Sequence, residues 1–257
     1  MIENVVRRIR NLIGFMTIFP AGISLEAIKE VAQDIFLFPI IGAIIGFLAG
    51  AFALIMMQIM PKTVAGMLTC GFILLITGLH HTDGLLDFGD GLMVHGSPEK
   101  KIKVMRDPHV GVGGVALGII VIFSTALCIS QLNQEIVLQS LIVSEVYAKF
   151  SMVALTKFGK SASEGLNTYF INAMQGKNGI IRLIAALLIS LAFSLPLLRM
   201  KGLIAVASAI TATLIVLFLS NRHFKGITGD VIGATNEITR LATLLLIVSL
   251  NFMKFDY

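Results

Sequence analysis

The chain has 257 residues, 56% of them hydrophobic and only 14% charged, with a mean hydropathy of +0.90. Soluble domains run at about 45–50% apolar and about 25% charged, so this composition excludes a disordered chain, a coiled coil and an ordinary soluble α/β enzyme; with two cysteines it also excludes a disulfide framework. The net charge of +5 reads as loop lysines and arginines facing anionic lipid, not as a nucleic-acid footprint.

Val5–Phe19, with Arg7, Arg8 and Arg10, reads as an amphipathic helix lying at the interface. It lacks the apolar core and small-residue cleavage site of a signal peptide. Uncharged runs then predict spans between Asp34 and Lys62, and over Thr63–Leu79, Val110–Leu132, Ile136–Thr156, Gly179–Leu198 and Gly202–Ser220. Leu241–Met253 is short for a crossing, which makes the total six or seven. Cys70 and Cys128 lie inside apolar runs and read as small hydrophobes.

The connections alternate in character. Those at Pro61–Lys62, Asn133–Glu135 and Arg199–Lys201 are short, whereas His80–His109, Lys157–Asn178 and Asn221–Arg240 are long, polar and rich in glycine. With the N-terminal segment, the long ones hold 14 of the 20 basic residues. The positive-inside rule puts them in the cytoplasm. The expected fold is therefore all-α: a polytopic integral membrane helical bundle in the cell membrane, read as a single catalytic domain over 1–257 with its polar loops on the cytoplasmic face. The sequence leaves association into a homo-oligomer open.

The stretch His80–His95 (HHTDGLLDFGDGLMVH) is the most informative. Asp83, Asp87 and Asp90 are spaced i, i+4 and i+7, which puts three carboxylates on one stripe of a helix. No basic residue within the stretch offsets their repulsion; a divalent cation would. An oxygen-only set suits Mg²⁺ or Mn²⁺ better than zinc and leaves positions open for substrate phosphates. The adjacent His80 and His81 point about 100° apart on a helix and do not easily share an ion. Gly84, Gly89 and Gly91 would let a ligand approach the backbone closely. The alternative is a solvated acidic loop.

Ser97-Pro98 reads as an N-cap followed by proline at the first helical position. The helix it opens carries Lys100, Lys101, Lys103 and Arg106, and it ends before Asp107-Pro108 and the glycines 111, 113 and 114. A basic helix beside an acidic metal face suits phosphate transfer; a positive-inside cluster is the plainer reading of the three lysines. Thr228 reads as the N-cap of a further helix that places Asp230 and Glu237 on one face with Gly233 and Ala234. That face reads as a second cation site or a sugar-hydroxyl site, or else as a capped helix packing through small residues. Glu145 and Lys149, four apart inside a span, either pair with each other or serve function.

His81-Thr-Asp-Gly-Leu-Leu-Asp-Phe-Gly-Asp-Gly resembles the H-x-D-G-L-x-D-x-x-D-G signature of the cobalamin synthase family. Met105-Arg-Asp-Pro-His-Val-Gly-Val-Gly-Gly is similar to its next motif, and Gly229-Asp-Val-Ile-Gly-Ala-Thr-Asn-Glu237 to its third, G-D-x-x-G-A-x-x-E. Phe38–Gly46 is similar to its first-span pattern. The likeness runs in the family's order over nearly the whole chain; Lys149 stands where a family arginine is expected.

The resemblance implies a membrane enzyme that joins the 5′-hydroxyl of α-ribazole, or of its 5′-phosphate, to the phosphorus bearing cobinamide in adenosylcobinamide-GDP, releasing GMP. It implies Mg²⁺ as cofactor, held by Asp83, Asp87 and Asp90. Asp87, Asp230 or His81 would take the hydroxyl proton. Arg106 would balance the diphosphate charge, with Asp107, Gly111, Gly114, Lys149 and Glu237 as further substrate contacts. A CDP-alcohol phosphotransferase is the nearest alternative, but Leu-Leu-Asp follows Asp83-Gly84 where that family has D-G-x-x-A-R. A cation-coupled transporter would set its aspartates nearer the midplane.

Overall fold

A helix that carries four charged residues lies at the centre of the molecule. In this computed structural model, which describes residues 2–20 and 24–253, the elements in chain order are α1 (Ile2–Met16), α2 (Leu25–Gln33), α3 (Phe38–Ile59), α4 (Lys62–Ile76), α5 (His80–Met93), α6 (Pro98–Met105), α7 (Val112–Gly118), α8 (Ser124–Gln131), α9 (Gln134–Phe158), α10 (Asn167–Ala173), α11 (Gly176–Phe224) and α12 (Gly229–Phe252). A 3₁₀ turn at Ile35–Leu37 leads into α3, and a π-helical turn at Ile119–Phe123 joins α7 to α8. No strand occurs among the described residues.

The apolar stretch of α9 is 83% buried, against 33% for α11, so α9 is the axis and α11 shows much of its surface to lipid. Helices α3, α11 and α12 all pack on α9. The α3 contact is close because Gly42, Gly46 and Gly50 form a small-residue stripe. A methyl group at Gly42 would stand 2.5 Å from the Glu145 carbonyl, and one at Gly46 2.5 Å from the Ile142 Cα. Spacing small residues four apart is how membrane helices bring their backbones together. Phe47, Ile55, Leu75, Leu188 and Phe218 point outward, as a lipid-facing rim requires.

Five helices are long and apolar enough to span a membrane, or six if α4 and α5 count as one bent span. The 49-residue α11 breaks at Arg199 (φ 49°, ψ −129°). Unbroken it would run about 74 Å, more than twice the hydrocarbon thickness. The Tyr147 hydroxyl hydrogen-bonds the Ser194 hydroxyl and the Gly202 carbonyl, both at 2.8 Å, and so ties the two limbs at the break. Counting the limbs separately adds one to either total, in keeping with the expected six or seven. The chain is a multi-pass membrane protein.

Helix α5 departs from α4 at 97°. Gly78 (φ 66°) and Leu79 (φ 61°) make the corner with two consecutive left-handed residues. Glycine adopts this conformation freely, whereas for Leu79 it costs roughly 1 kcal/mol. With 14 residues, α5 is about 21 Å long, too short for a crossing by itself, and its 97° bend lays it across the end of α4.

The long polar connections meet at one end of the bundle. Arg106 donates to the Ser163 hydroxyl (3.0 Å) and the Glu164 carbonyl (3.4 Å), and Ser161 pairs with Ile227 in an isolated bridge. The Asn167 amide donates to the Ile227 carbonyl at 3.1 Å. The expected loop Asn221–Arg240 proves mostly helical: α11 runs on to Phe224 and α12 begins at Gly229, leaving only a short turn. Arg240, expected in that loop, is buried inside α12.

Candidate active site

The acidic stripe of α5 exists, but its three carboxylates have different surroundings. Asp83 is exposed, Asp87 half-buried and Asp90 buried. From Asp83 to Asp90 the helix rises about 10 Å, so the stripe spans too far for one ion. Asp90 turns to the start of α7. Its Oδ2 accepts from the Gly111 N–H at 2.6 Å and its Oδ1 from the Gly114 N–H at 2.8 Å. Asp90 therefore works as the cap of a glycine-rich helix start, a charge-assisted arrangement. This corrects two expectations. Asp90 does not stand with Asp83 and Asp87 as a ligand set, and the Gly111 and Gly114 N–H groups are spent on Asp90 rather than offered to substrate.

The third carboxylate comes from another helix. Gly84 lies directly on α12: a Cβ there would stand 2.7 Å from the Asp230 carbonyl oxygen and 2.9 Å from its Cα. A residue with a side chain would hold the helices apart; glycine lets Asp230 reach the Asp83–Asp87 edge. Asp87 accordingly feels the charges of Asp230, Asp83 and Asp90, and Asp230 those of Asp83 and Arg106. Burial first, then these like charges, push the Asp87 carboxyl up to about 7. Thr228 caps α12 by accepting from the Val231 N–H at 3.3 Å and donates to the Asp230 carboxylate at 3.2 Å. The expected N-caps Ser97 and Thr228 are both in place.

Among the described residues no three His, Cys, Asp or Glu side chains are gathered into a ready-made ion cage. The donor chemistry nevertheless fits Mg²⁺. Neighbouring carboxylates raise one another's charge energy with a single exposed arginine beside them, and Mg²⁺ is usually held by one or two carboxylates while water and substrate phosphate complete its shell. Asp107 is exposed and accepts from the His109 backbone N–H at 2.9 Å, which holds its carboxyl below the usual range.

The glycines of α5 serve helix packing rather than ligand approach. Gly89 abuts Gly113 and Gly114 of α7, and Gly91 abuts Met105 and Phe224. Lys101, expected as one of a solvated cluster, is buried; its ammonium donates to the Gly91 and Leu92 carbonyls at 3.3 Å and to that of Val94, and so closes the C-terminus of α5.

Lys149 and Glu237, expected as substrate contacts, are instead engaged within the protein. Both are buried in a network between α9 and α12: the Lys149 ammonium reaches the Asn236 amide oxygen at 2.6 Å and Glu145 at 3.4 Å, while Arg240 pairs with Glu145 and Glu237. Two acids and two bases leave the network neutral. Arg240 was missed by sequence reading, although its place three residues beyond Glu237 on one helix was the available signal.

His81 is buried, and its Nδ1 finds no partner within the protein. Burial, with Lys149 and Arg240 beneath it, holds the imidazole well below its usual pKa range, and so neutral. The ring lines an apolar cavity of about 350 Å³ that also touches Phe15, Phe38, Met152, Phe170 and Gly233. No spacing in the sequence announced this cavity, because its walls come from seven separate segments.

Comparison with known proteins accords with this geometry. The cobalamin-5-phosphate synthase family matches residues 8–248. Three proteins named adenosylcobinamide-GDP ribazoletransferase are similar over most of the chain. That of Methanococcoides burtonii is 36% identical, covering 93% of this chain and 90% of its own; that of Methanosarcina barkeri is 37% identical, covering 92% and 90%. That of Methanocella arvoryzae is 34% identical, covering 99% and 100%. No solved structure matches the chain. With nearly all of its length matched, the chain belongs to the cobalamin-5-phosphate synthase family.

Proposed function

We propose that this protein is an adenosylcobinamide-GDP ribazoletransferase that works at the cytoplasmic face of the cell membrane. The observation that carries the chemistry is the seam where Gly84 of α5 meets Asp230 of α12. It brings carboxylates from two helices together, with Arg106 in their electrostatic reach. The basic loops gathered at this end support the cytoplasmic assignment.

The reaction has one bond made and one broken. The 5′-oxygen of α-ribazole, or of its phosphate, attacks the phosphorus that bears cobinamide; the bond from that phosphorus to the GMP oxygen breaks, and GMP leaves. Asp83 and Asp87, one turn apart, are the residues that would hold Mg²⁺, which when bound supplies charge neutralisation on the diphosphate. Asp230 takes the proton from the attacking hydroxyl. Its position on α12, fixed by Thr228 and next in chain to Gly229 of the cavity wall, supports this role. Arg106, steadied by Ser163 and the Glu164 carbonyl, offsets phosphate charge. His81, buried and neutral, is a wall of the cavity rather than the base.

The test is GMP release by purified protein in lipid. Adenosylcobinamide-GDP with Mg²⁺ should yield GMP when α-ribazole is added and none without it. A protein that releases nothing under these conditions, or that instead consumes a CDP-alcohol, does not have this activity.

A further inference from the structure

The cavity beside the carboxylate seam has no occupant in the proposed reaction. It is walled by α1, α5, α9 and α12 and by the segments around Ile28, Ile35 and Phe170. Its lining is apolar and aromatic. Phe15, Phe38 and Phe170 cluster with ring centroids 5.3 to 6.4 Å apart. Such rings suit a flat aromatic guest in offset or edge-to-face contact. Hydrogen-bonding groups are few. The Thr156 hydroxyl already donates to the Met152 and Val153 carbonyls, and the Asn167 amide is spent on Ser161 and Ile227. The His81 Nδ1 is buried there without a partner, and His80 adds a second imidazole.

We propose that this cavity holds the aromatic base of the acceptor nucleoside, with its 5′-hydroxyl directed to Asp230. The inference rests on the ribazoletransferase reading and assigns a place to one of its two substrates. Three arguments carry it. The first is size: about 350 Å³ sits at the small end of ligand pockets, right for a bicyclic base and too small for a corrin ring with its amide arms. The second is polarity. The reaction involves two aromatic bases, guanine and dimethylbenzimidazole. Guanine presents several donors and acceptors, each costing roughly 1–3 kcal/mol when buried without a partner. Dimethylbenzimidazole, linked through one nitrogen, presents a single acceptor and two methyl groups. The cavity has the complementary character: aromatic walls with few polar groups, chiefly the His80 and His81 imidazoles. The third is position. His80 and His81 lie within one turn of Asp83, and Gly229 and Gly233 within one turn of Asp230. A helical turn is about 5.4 Å, which a ribose spans from its base to its 5′-oxygen.

The test narrows the cavity and changes the base. Met152 of α9 lies in the wall, and Met152→Phe adds bulk there. With α-ribazole as acceptor, its KM should rise at least tenfold, with the KM for adenosylcobinamide-GDP within twofold of the parent. The decisive readout is a ratio: the preference for the dimethylated riboside over unsubstituted benzimidazole riboside should fall about tenfold, since the smaller base still fits. A structural defect would lower both acceptors alike. Should Met152→Phe fail to fold, Ile232→Phe is the second variant; it also adds bulk to the wall, with the same change of ratio expected.

Binding is read independently of turnover. The chain has no tryptophan, so the fluorescence of dimethylbenzimidazole can be followed directly on the wild-type protein. A saturable change, competed by α-ribazole and lost in Met152→Phe, supports the proposal even if no GMP is released, an outcome that would instead defeat the activity. An unchanged acceptor ratio overturns it. So does a base signal that never saturates, or one displaced by phospholipid but not by α-ribazole, which would mark an acyl-chain pocket.

Discussion

Gly84 rests on the backbone of Asp230, with 2.7 Å between the place a Cβ would take and the Asp230 carbonyl oxygen. That contact sets the spacing between the carboxylates of α5 and the one on α12. Gly84→Ala forces the helices apart. Its stability cost is that of an overpacked contact, roughly 1–3 kcal/mol. Its catalytic cost is larger, because a shift of about 1 Å in reacting groups costs on the order of 100-fold in rate. Melting temperature and GMP release on the same preparation check this; a well-folded Gly84→Ala protein with parental turnover contradicts it.

Asp90 and Asp83 sit on one stripe but should fail differently. Asp90→Ala leaves the Gly111 and Gly114 N–H groups without their acceptor, costing about 2 kcal/mol. Added Mg²⁺ should not restore its melting temperature. Asp83→Asn should melt normally and require a higher Mg²⁺ concentration for half-maximal rate. Titrating Mg²⁺ against rate and melting temperature separates them; an Asp90→Ala variant whose only defect is Mg²⁺ affinity would return Asp90 to the ion.

The Asp87 carboxyl gives a pH signature. Its pKa is raised to about 7 by burial, then by Asp230, Asp83 and Asp90, so the folded protein binds this proton more tightly than the unfolded chain. The stability it contributes is fully present below about pH 4, the unfolded value, and is lost as the pH rises through about 7. Because the group is half exposed, the loss is on the order of 1 kcal/mol. In chelator, wild-type protein should therefore melt lower at pH 8 than at pH 5, and Asp87→Asn should lack that component. Mg²⁺ should restore the wild type at pH 8. Identical profiles for the two proteins in chelator would show that no such shift exists.

Arg240 holds two buried carboxylates, Glu145 and Glu237. Arg240→Met leaves Glu237 without its cation and Glu145 with Lys149 alone, and should cost about 3–5 kcal/mol. Adding Glu145→Gln should recover part of this, since contacting sites couple by about 0.5–3 kcal/mol. Thermal melts of the two single variants and the double variant measure the coupling. Strict additivity would mean that the network is not one unit.

Much of this architecture was legible in the residues. The uncharged runs marked the spans because lipid leaves helices no alternative, and Ser97 and Thr228 marked helix starts because a hydroxyl must satisfy the first N–H groups. The i, i+4, i+7 aspartates marked a helix face but not its neighbours. Spacing places side chains around one axis; it says nothing about which helix arrives opposite. Asp90 therefore read as a third ligand, whereas it caps the start of α7. Lys149 and Glu237 read as substrate contacts until Arg240 was seen between the acids. The α5 glycines read as room for a ligand, whereas the room is filled by α6, α7, α11 and α12. The aromatic cavity left no local pattern at all.

The most direct measurement is the rate of α-ribazole-dependent GMP release by Asp87→Asn across a Mg²⁺ titration, beside a melting curve of the same sample. The account predicts a folded protein without turnover at every Mg²⁺ concentration. A near-parental rate in excess Mg²⁺ would contradict it.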